Sequence, residues 1–337
     1  MLKTLGDRLL TTLPALIGVI LVSFLLTRVL PGDTAAYFAG PAATPQAIEE
    51  IRKQLGLDRP LPEQFGRYVV DLSKGNLGQS LTTGQPVLAD ISSRLPASAE
   101  LTLFGLVISL LIAVPLGITA AVKQGSMIDH LCRIVATAGV SLPVFFTGLL
   151  LVYLFYFILG WSPAPLGRLD TFATAPPTVT GFYLLDSLLV RDWETFRGAL
   201  SQMLLPGATL AIFALAPIAR ITRASMLAVM SSEFIRTARA SGLNGRTVIL
   251  TYAFRNAMLP VVTTLGMVFS FLLGANVLVE KVFAWPGIGS YAVEALIASD
   301  FAPVQGFVLT MAILYIVLNL LIDLTYGLID PRVRLGA

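Results

Sequence analysis

The chain has 337 residues, of which 55% are hydrophobic and only 13% are charged, and its mean hydropathy is +0.80. An average soluble domain is about 25% charged, so this composition excludes a soluble globular protein and indicates an integral membrane protein. Cys132 is the single cysteine and His130 the single histidine, which excludes disulfides and a Cys/His metal site within the chain.

Six stretches without acidic or basic residues are long enough to cross a hydrocarbon core, which takes about 20 helical residues. Only helices satisfy every backbone donor and acceptor of such segments within lipid. The first stretch follows two basic residues, as a secretory signal does, but its length favours an uncleaved anchor. The sequence predicts an all-α integral membrane protein whose six transmembrane helices lie within residues 9–27, 101–122, 134–161, 198–219, 256–279 and 301–322.

Charge gives the orientation of these predicted spans. An even number of spans places both termini on one side of the membrane. With both termini inside, the inner segments carry a net charge of +7 and the outer segments −4, which together give the +3 of the chain. The short inner segment 220–255 holds six arginines, and short basic loops remain in the cytoplasm. We therefore predict that both termini are cytoplasmic.

The first outer segment contains its own helix signals. Thr44 is a candidate N-cap before Pro45, and Gly56 is a candidate helix terminator. A second short helix is predicted to start near Pro62 and to end before Gly75. The segment is too small to bury an independent core of any size, so it is predicted to form a small ordered cap outside the membrane.

The basic inner segment contains a predicted helix of about nine residues. Ser232 can cap its first residue, Glu233, and Gly242 supplies a left-handed residue to end it. Asn244-Gly245 then turns the chain before Pro260 opens the fifth span. A helix this short is marginal in water and needs a surface to lie against.

Two surfaces remain open for that helix. It can lie in the membrane interface, with its arginines on lipid phosphates and with Phe234 and Ile235 at the headgroups. Alternatively, the small residues Ala238, Ala240 and Gly242 can fit a groove of another protein.

The same segment resembles a known motif. It contains RTARASGL at 236–243 and RNAMLP at 255–260, and both resemble the cytoplasmic coupling loop of ABC importer permeases of the dipeptide, oligopeptide and nickel group. Arg236 and Thr237 stand where the general importer pattern has Glu and Ala, as in the peptide group. Further stretches resemble the B-type subunit of such importers: LPGD (30–33), GLDRPL (56–61), GNLGQS (75–80), RLPASAELTL (94–103), SLPVFFTGLLL (141–151), VEKVFAWPGIG (279–289) and DPRVR (330–334).

The resemblance implies a type I ABC importer permease fold that forms half of a channel, and it implies a location in the bacterial or archaeal inner membrane. Its implied partners are a second, C-type permease subunit, two cytoplasmic ATPase subunits and an extracytoplasmic substrate-binding protein. The coupling helix would dock in a groove of an ATPase, with Phe234 and Ile235 as apolar anchors and with Arg236 and Arg239 paired to acidic or backbone groups. The residues it implies for ATPase docking are Glu233, Phe234, Ile235, Arg236, Thr237, Ala238, Arg239, Ala240, Gly242, Leu243 and Arg255.

The outer ends of the spans supply candidate residues for the translocation path or its gate: Glu100, Asn276, Glu280, Pro286 and Gly287. Interfacial anchoring or helix capping is the alternative for the two glutamates. The outer segments 31–96 and 282–288 are expected to cap the path and to meet the binding protein. Hydroxyl side chains inside the spans are further lining candidates, although bonds to their own helices compete with that role.

The predicted spans and the loops between them divide the whole chain into segments. They predict an anchor helix (1–30), an extracytoplasmic cap (31–96), a permease core of five spans (97–326) containing the coupling loop (220–258), and a cytoplasmic tail (327–337).

Three absences from the sequence favour a transport subunit over other classes. The chain lacks a G-x-x-x-x-G-K-[ST] phosphate loop, so ATP hydrolysis is expected on a separate subunit. The interiors of the spans lack ionisable residues, which argues against proton coupling but leaves a sodium-coupled carrier open. One histidine and no intramembrane carboxylate pair make an enzyme unexpected, and no cofactor is predicted. A non-transport membrane scaffold and an importer of nickel or glutathione also remain open.

Overall fold

The computed structural model describes residues 14–25, 35–36, 40, 43–54 and 56–329. The predicted LPGD and DPRVR motifs lie outside these residues, as do both ends of the chain. Within the described part, the regular structure is helical apart from an isolated bridge between Gln79 and Pro86, which confirms the all-α prediction. The helices are α1 (Pro14–Leu25), α2 (Pro45–Gln54), α3 (Leu61–Ser73), α4 (Val87–Val122), α5 (Met127–Ser141), α6 (Val144–Ile158), α7 (Tyr183–Leu189), α8 (Trp193–Met230), α9 (Glu233–Ala240), α10 (Gly245–Val282), α11 (Ile288–Ile297) and α12 (Phe301–Ile329).

Four of these helices, α4, α8, α10 and α12, are long and apolar enough to cross a membrane. They contain the second, fourth, fifth and sixth predicted spans and extend beyond them. The described part of the first predicted span is the shorter helix α1.

The third predicted span is not one continuous helix, so this prediction was wrong in detail. Helix α5 ends at Ser141, Leu142 is extended with φ −108° and ψ 142°, and α6 begins after Pro143. Proline lacks an N–H group and disfavours the helical conformation of the residue before it. Helix α6 covers about 22 Å at a rise of about 1.5 Å per residue, and Val152–Ile158 within it is a π-helix.

The helix signals of the first outer segment are confirmed. Helix α2 begins at Pro45, and the Thr44 hydroxyl accepts a hydrogen bond from the Ala47 N–H at 3.3 Å. Gly56 adopts φ +64° after the helix. Helix α3 starts at Leu61, one residue earlier than predicted.

The contacts divide the described residues into two compact units. One comprises the residues up to Leu95 together with Ile288–Val317, and the other comprises Pro96–Gly287 together with the residues from Leu318 onward. In the first unit, the carboxylate of Asp300 accepts hydrogen bonds from the Ser80 hydroxyl at 2.8 Å and the Leu81 N–H at 2.7 Å. This buried carboxylate anchors the end of the GNLGQS stretch.

Helix α8 is the centre of the second unit, where it packs against α5, α6, α7 and α10. Small residues allow its close approach to α4, because a Cβ added to Gly105 would lie 2.7 Å from the Cβ of Leu210. A Cβ added to Gly117 would meet Thr222 at the same distance. Tight packing therefore extends along α8 toward its last residue, Met230, directly before α9.

Candidate functional site

Two residues, Ser231 and Ser232, separate α8 from α9. Ser232 occupies the predicted N-cap position with extended backbone angles, and Glu233 is the first helical residue. The Ser232 hydroxyl donates to the Val229 carbonyl at 2.5 Å and makes no capping bond to α9, so its predicted side-chain role was wrong. The Ser232 carbonyl accepts from the Arg236 N–H at 3.2 Å, so the serine joins the two helices through its backbone.

The end of α9 is as predicted. Gly242 has φ +74°, and its N–H donates to the Arg239 carbonyl at 3.1 Å. The Leu243 N–H donates to the Ala238 carbonyl at 3.4 Å, which completes the Schellman pattern of helix termination. The Asn244 side chain then accepts from the Arg246 N–H at 3.1 Å and begins α10.

One face of α9 is buried against the chain itself. Ile235 is 0% exposed and Ala238 is 6% exposed, and their three-residue spacing places them on the same side of the helix. They join an apolar cluster from the ends of α4 and α8 and the start of α10, whose other buried members are Ala121, Met226, Val248, Ala253 and Ala257. Burying one such aliphatic side chain contributes about 1.5–3 kcal/mol to stability. This apolar cluster is therefore the surface that the short helix needs.

The remaining predicted docking residues lie on the exposed side. Ile235, the predicted docking anchor, and Ala238, part of the predicted docking surface, both face inward against this chain itself. The physical reason is that the apolar stripe of α9 is already covered by its own chain. The predicted docking residues that are exposed are Glu233, Phe234, Arg236, Thr237, Arg239, Ala240, Gly242, Leu243 and Arg255.

An ion pair between a partly exposed arginine and a buried aspartate joins α8 to α5. Arg223 on α8 donates to both carboxylate oxygens of Asp129 on α5, at 2.5 and 3.0 Å. The hydrogen bond from Arg223, followed by that from the Gly125 N–H, holds the pKa of Asp129 well below its usual range. This pair was not predicted from the sequence, although Asp129 is the single acidic residue of the predicted inner segment 123–133.

The structure brings three of the predicted gate residues together. Glu280 on α10 is 1% exposed, and its Oε1 accepts from the Ser98 hydroxyl at 2.5 Å and from Asn276 Nδ2 at 2.9 Å. Asn276 Nδ2 also donates to the Ser98 carbonyl at 3.3 Å. Gly287 completes the cluster, because an added Cβ would clash with both Glu280 and Ser98. We call these four residues the Glu280 network.

Trp285 closes the same region from the short segment after α10. Its side chain is 0% exposed, and its Nε1 donates to the Ala97 carbonyl at 2.9 Å. Its backbone N–H donates to the Glu280 carbonyl at 2.8 Å. Ser98 and Trp285 were not among the predicted gate residues, although both lie within stretches that resemble the importer family.

The other two predicted gate residues have different surroundings from the three in the Glu280 network. Glu100 accepts from Arg168 Nη2 at 2.6 Å and from the Leu184 N–H at 2.8 Å, while the Arg168 guanidinium lies 3.4 Å from the centre of the Tyr183 ring. Pro286 is exposed. Glu100 therefore joins α4 to the loop before α7, and it pairs a buried carboxylate with a buried guanidinium.

The hydroxyl groups proposed as lining candidates bond to their own helices. Thr263 donates to the Leu259 carbonyl at 3.0 Å, and Thr264 donates to the Pro260 carbonyl at 2.9 Å. Two serines on α4 and α10 make the same kind of bond. Such bonds satisfy the hydroxyl locally, as the alternative interpretation predicted.

Gly242→Ala tests whether the left-handed conformation of Gly242 stabilises the end of α9. We expect a loss of about 1–2 kcal/mol in the local stability of α9, because a side chain at φ +74° is strained while no atom lies within 4 Å of the added Cβ. Gly245→Ala is the matched control, since it is equally open and has an ordinary φ. Hydrogen exchange of the α9 amides measures both variants. Equal exchange in both would contradict the expectation.

Comparisons with known proteins agree with the motifs. Residues 113–335 match the family model of the binding-protein-dependent transport system inner membrane component, and residues 1–102 match the model of its N-terminal region. A probable D,D-dipeptide transport system permease protein of Escherichia coli is 46% identical over 95% of this chain and 94% of its own length. A di/tripeptide transport system permease protein of Pseudomonas aeruginosa is 40% identical, with 99% of each chain covered.

Proposed function

This chain belongs to the family of binding-protein-dependent transport system inner membrane components, and we propose that it forms half of the membrane passage of an ATP-driven importer of di- or oligopeptides. The relatives named above are dipeptide and di/tripeptide permeases, which supports a peptide cargo. We propose as its partners a second permease subunit, two ATPase subunits and an extracytoplasmic binding protein.

The proposed topology has six crossings and cytoplasmic termini. Helices α4, α8, α10 and α12 supply four crossings. The other two crossings are assigned to the segment that contains α1 and to the broken pair α5 and α6. The arginines around α9 support the orientation, because short basic loops remain in the cytoplasm.

The observation that carries the proposal is the two-sided character of α9. Its inner face is fixed to the ends of α4, α8 and α10 through Ile235 and Ala238. Its outer face presents Phe234, which is 44% exposed, beside Arg236 and Arg239. A helix fixed on one side to the membrane helices can transmit a displacement applied to its other side. An ATPase groove that receives the exposed face would therefore move the ends of three long helices together.

Cysteine cross-linking tests this docking. Arg239→Cys places a thiol on the exposed face, and we expect it to form a disulfide with a cysteine in the ATPase groove. The native Cys132 is 1% exposed, so the background is low. Phe172→Cys is the control, at a position that is 96% exposed and lies between the third and fourth predicted spans, on the predicted outer side. It should react with thiol reagents but form no cross-link.

The ATPase subunits should also co-purify with the wild-type complex, and uptake should stop without ATP. Uptake that persists in a sodium gradient without ATPase subunits would contradict the proposal and favour a carrier that works alone. Absence of any Arg239→Cys cross-link in a complex that is active in ATP-dependent uptake would contradict the docking face.

The Glu280 network is proposed to close the outer end of the passage. A buried carboxylate held by a serine and an asparagine has few alternative positions, because each group would lose its partner if the segment moved alone. The segment from Trp285 to Gly287 would then move with α10 as one body. The same segment is proposed as a point of contact for the binding protein.

A further inference from the structure

A cationic cavity lies between α5 and α8. Its volume is about 400 Å³, within the roughly 300–1,000 Å³ typical of small-ligand sites. Arginines from both helices line it, and small residues form the rest of the wall: the lining residues are Cys132, Arg133, Ala136, Thr137, Arg220, Arg223 and Ala224.

The charges of this cavity do not balance. Arg223 is bound to Asp129, whereas Arg133 contacts His130 Nδ1 at 2.6 Å and gains no acidic partner from it. Arg220 is exposed and forms no ion pair among the residues that the structure describes. The cavity therefore holds three guanidinium groups beside one carboxylate, and this excess favours an anion.

A second cavity extends the first along one face of α5. Its volume is about 560 Å³, and it is lined by His130, Arg133, Ile134, Thr137 and Ser141. His130, Ile134, Thr137 and Ser141 recur every three or four positions over about 16 Å of helix, and Arg133 adjoins Ile134. The basic residues lie at one end, and beyond them Ile134 is 64% exposed. The groove thus has a cationic head and a less polar side that continues toward α6.

We propose that this groove binds an anionic phospholipid, with its phosphate on Arg133 and Arg220 and one acyl chain along α5. The proposal rests on the proposed topology, which places the start of α5 at the inner leaflet. Arginine matches a phosphate through two parallel N–H bonds, and basic pockets at the inner ends of membrane helices suit anionic head groups. A free phosphate would use the same arginines but would leave the apolar length of the groove unfilled.

Native mass spectrometry of the delipidated, detergent-purified transporter complex tests the proposal. We expect added phosphatidylglycerol to bind, and both Arg133→Gln and Arg220→Gln to weaken its binding by about fivefold each, which corresponds to ~1 kcal/mol per basic residue. Arg246→Gln is the matched control, because Arg246 is an exposed arginine of the coupling loop that lies outside both cavities. This control should bind phosphatidylglycerol as the wild type does.

Four results would overturn the lipid site. These are unchanged binding in the Arg133 and Arg220 variants, equal retention of phosphatidylcholine, displacement of the lipid by millimolar inorganic phosphate, and displacement by a dipeptide. The third would assign the cavity to a free anion and the fourth to the transport passage. Co-purification of the ATPase subunits is followed in the same samples. Its loss in the wild type would count against the proposed function, whereas lipid binding alone tests the groove.

Discussion

Ile235→Asp is expected to abolish uptake and to release the ATPase subunits during purification. The substitution places a carboxylate at a position that is 0% exposed and surrounded by apolar side chains from α4, α8 and α10. Burying a charge without a partner is more costly than losing aliphatic contacts, and removing an isoleucine side chain alone costs about 2–5 kcal/mol. Because α9 has only eight residues, this loss is enough to detach it from its support.

Two further variants separate detachment of α9 from loss of docking. Leu250→Asp adds the same charge at a position that is 54% exposed and outside the predicted docking set, so uptake should change little. Phe234→Ala removes an exposed side chain from the docking face, and it should weaken ATPase association without faster exchange of the α9 amides. Ile235→Asp should affect both measurements. Normal ATPase association in Ile235→Asp would show that the buried face of α9 is not required.

The ends of α9 could be predicted from local residue chemistry, but its partner surfaces could not. Gly242 ends the helix because the Schellman pattern needs a left-handed residue, and that requirement is visible in the sequence. The spacing of Ile235 and Ala238 shows that they share a face. It does not show whether that face meets another subunit or the same chain. That choice depends on residues such as Met226 and Ala257, which only the fold brings to the helix.

The broken third span has a simpler cause. The prediction rested on the absence of charge over residues 134–161, and charge does not report helix continuity. Pro143 was a visible breaker, and Leu142 before it adopts the extended conformation that proline favours. In contrast, Pro115, Pro206 and Pro217 remain inside continuous helices, so a proline alone does not identify a break. Packing against neighbouring helices decides between the two outcomes.

The contacts of the Glu280 network could not be predicted from the sequence for another reason. Glu280 and Gly287 were selected because they are polar or small at the end of a span. Their partner Ser98 is 182 positions away from Glu280, and no local pattern connects them. The buried pair of Glu100 and Arg168 joins residues 68 positions apart and was equally hidden. Residue type therefore indicated that the outer ends are special, while the identity of each contact needed the fold.

Trp285→Ala is expected to destabilise the second unit by about 3–5 kcal/mol, the range measured for removing large buried aromatic side chains. Trp285 is fully buried, and its loss would leave a cavity and remove the hydrogen bond from its Nε1 to the Ala97 carbonyl beside the Glu280 network. Trp161→Ala is the matched control, because Trp161 is 73% exposed and its removal should cost little in detergent. Thermal unfolding followed by circular dichroism compares the two variants.

Trp285→Phe separates the contribution of the hydrogen bond to stability from that of the aromatic side-chain volume. It keeps most of the aromatic volume and removes the hydrogen bond to Ala97, so it should cost about 0.5–1.5 kcal/mol for the bond and somewhat more for the smaller ring. If the Glu280 network closes the outer end of the passage, Trp285→Ala should also lower peptide uptake in the fraction of protein that remains folded, whereas Trp285→Phe should retain most of it. Equal stability of Trp285→Ala and Trp161→Ala would contradict the structural role of this side chain. Unchanged uptake by folded Trp285→Ala would contradict the proposed closure, since the segment would then move independently of its contacts with α4.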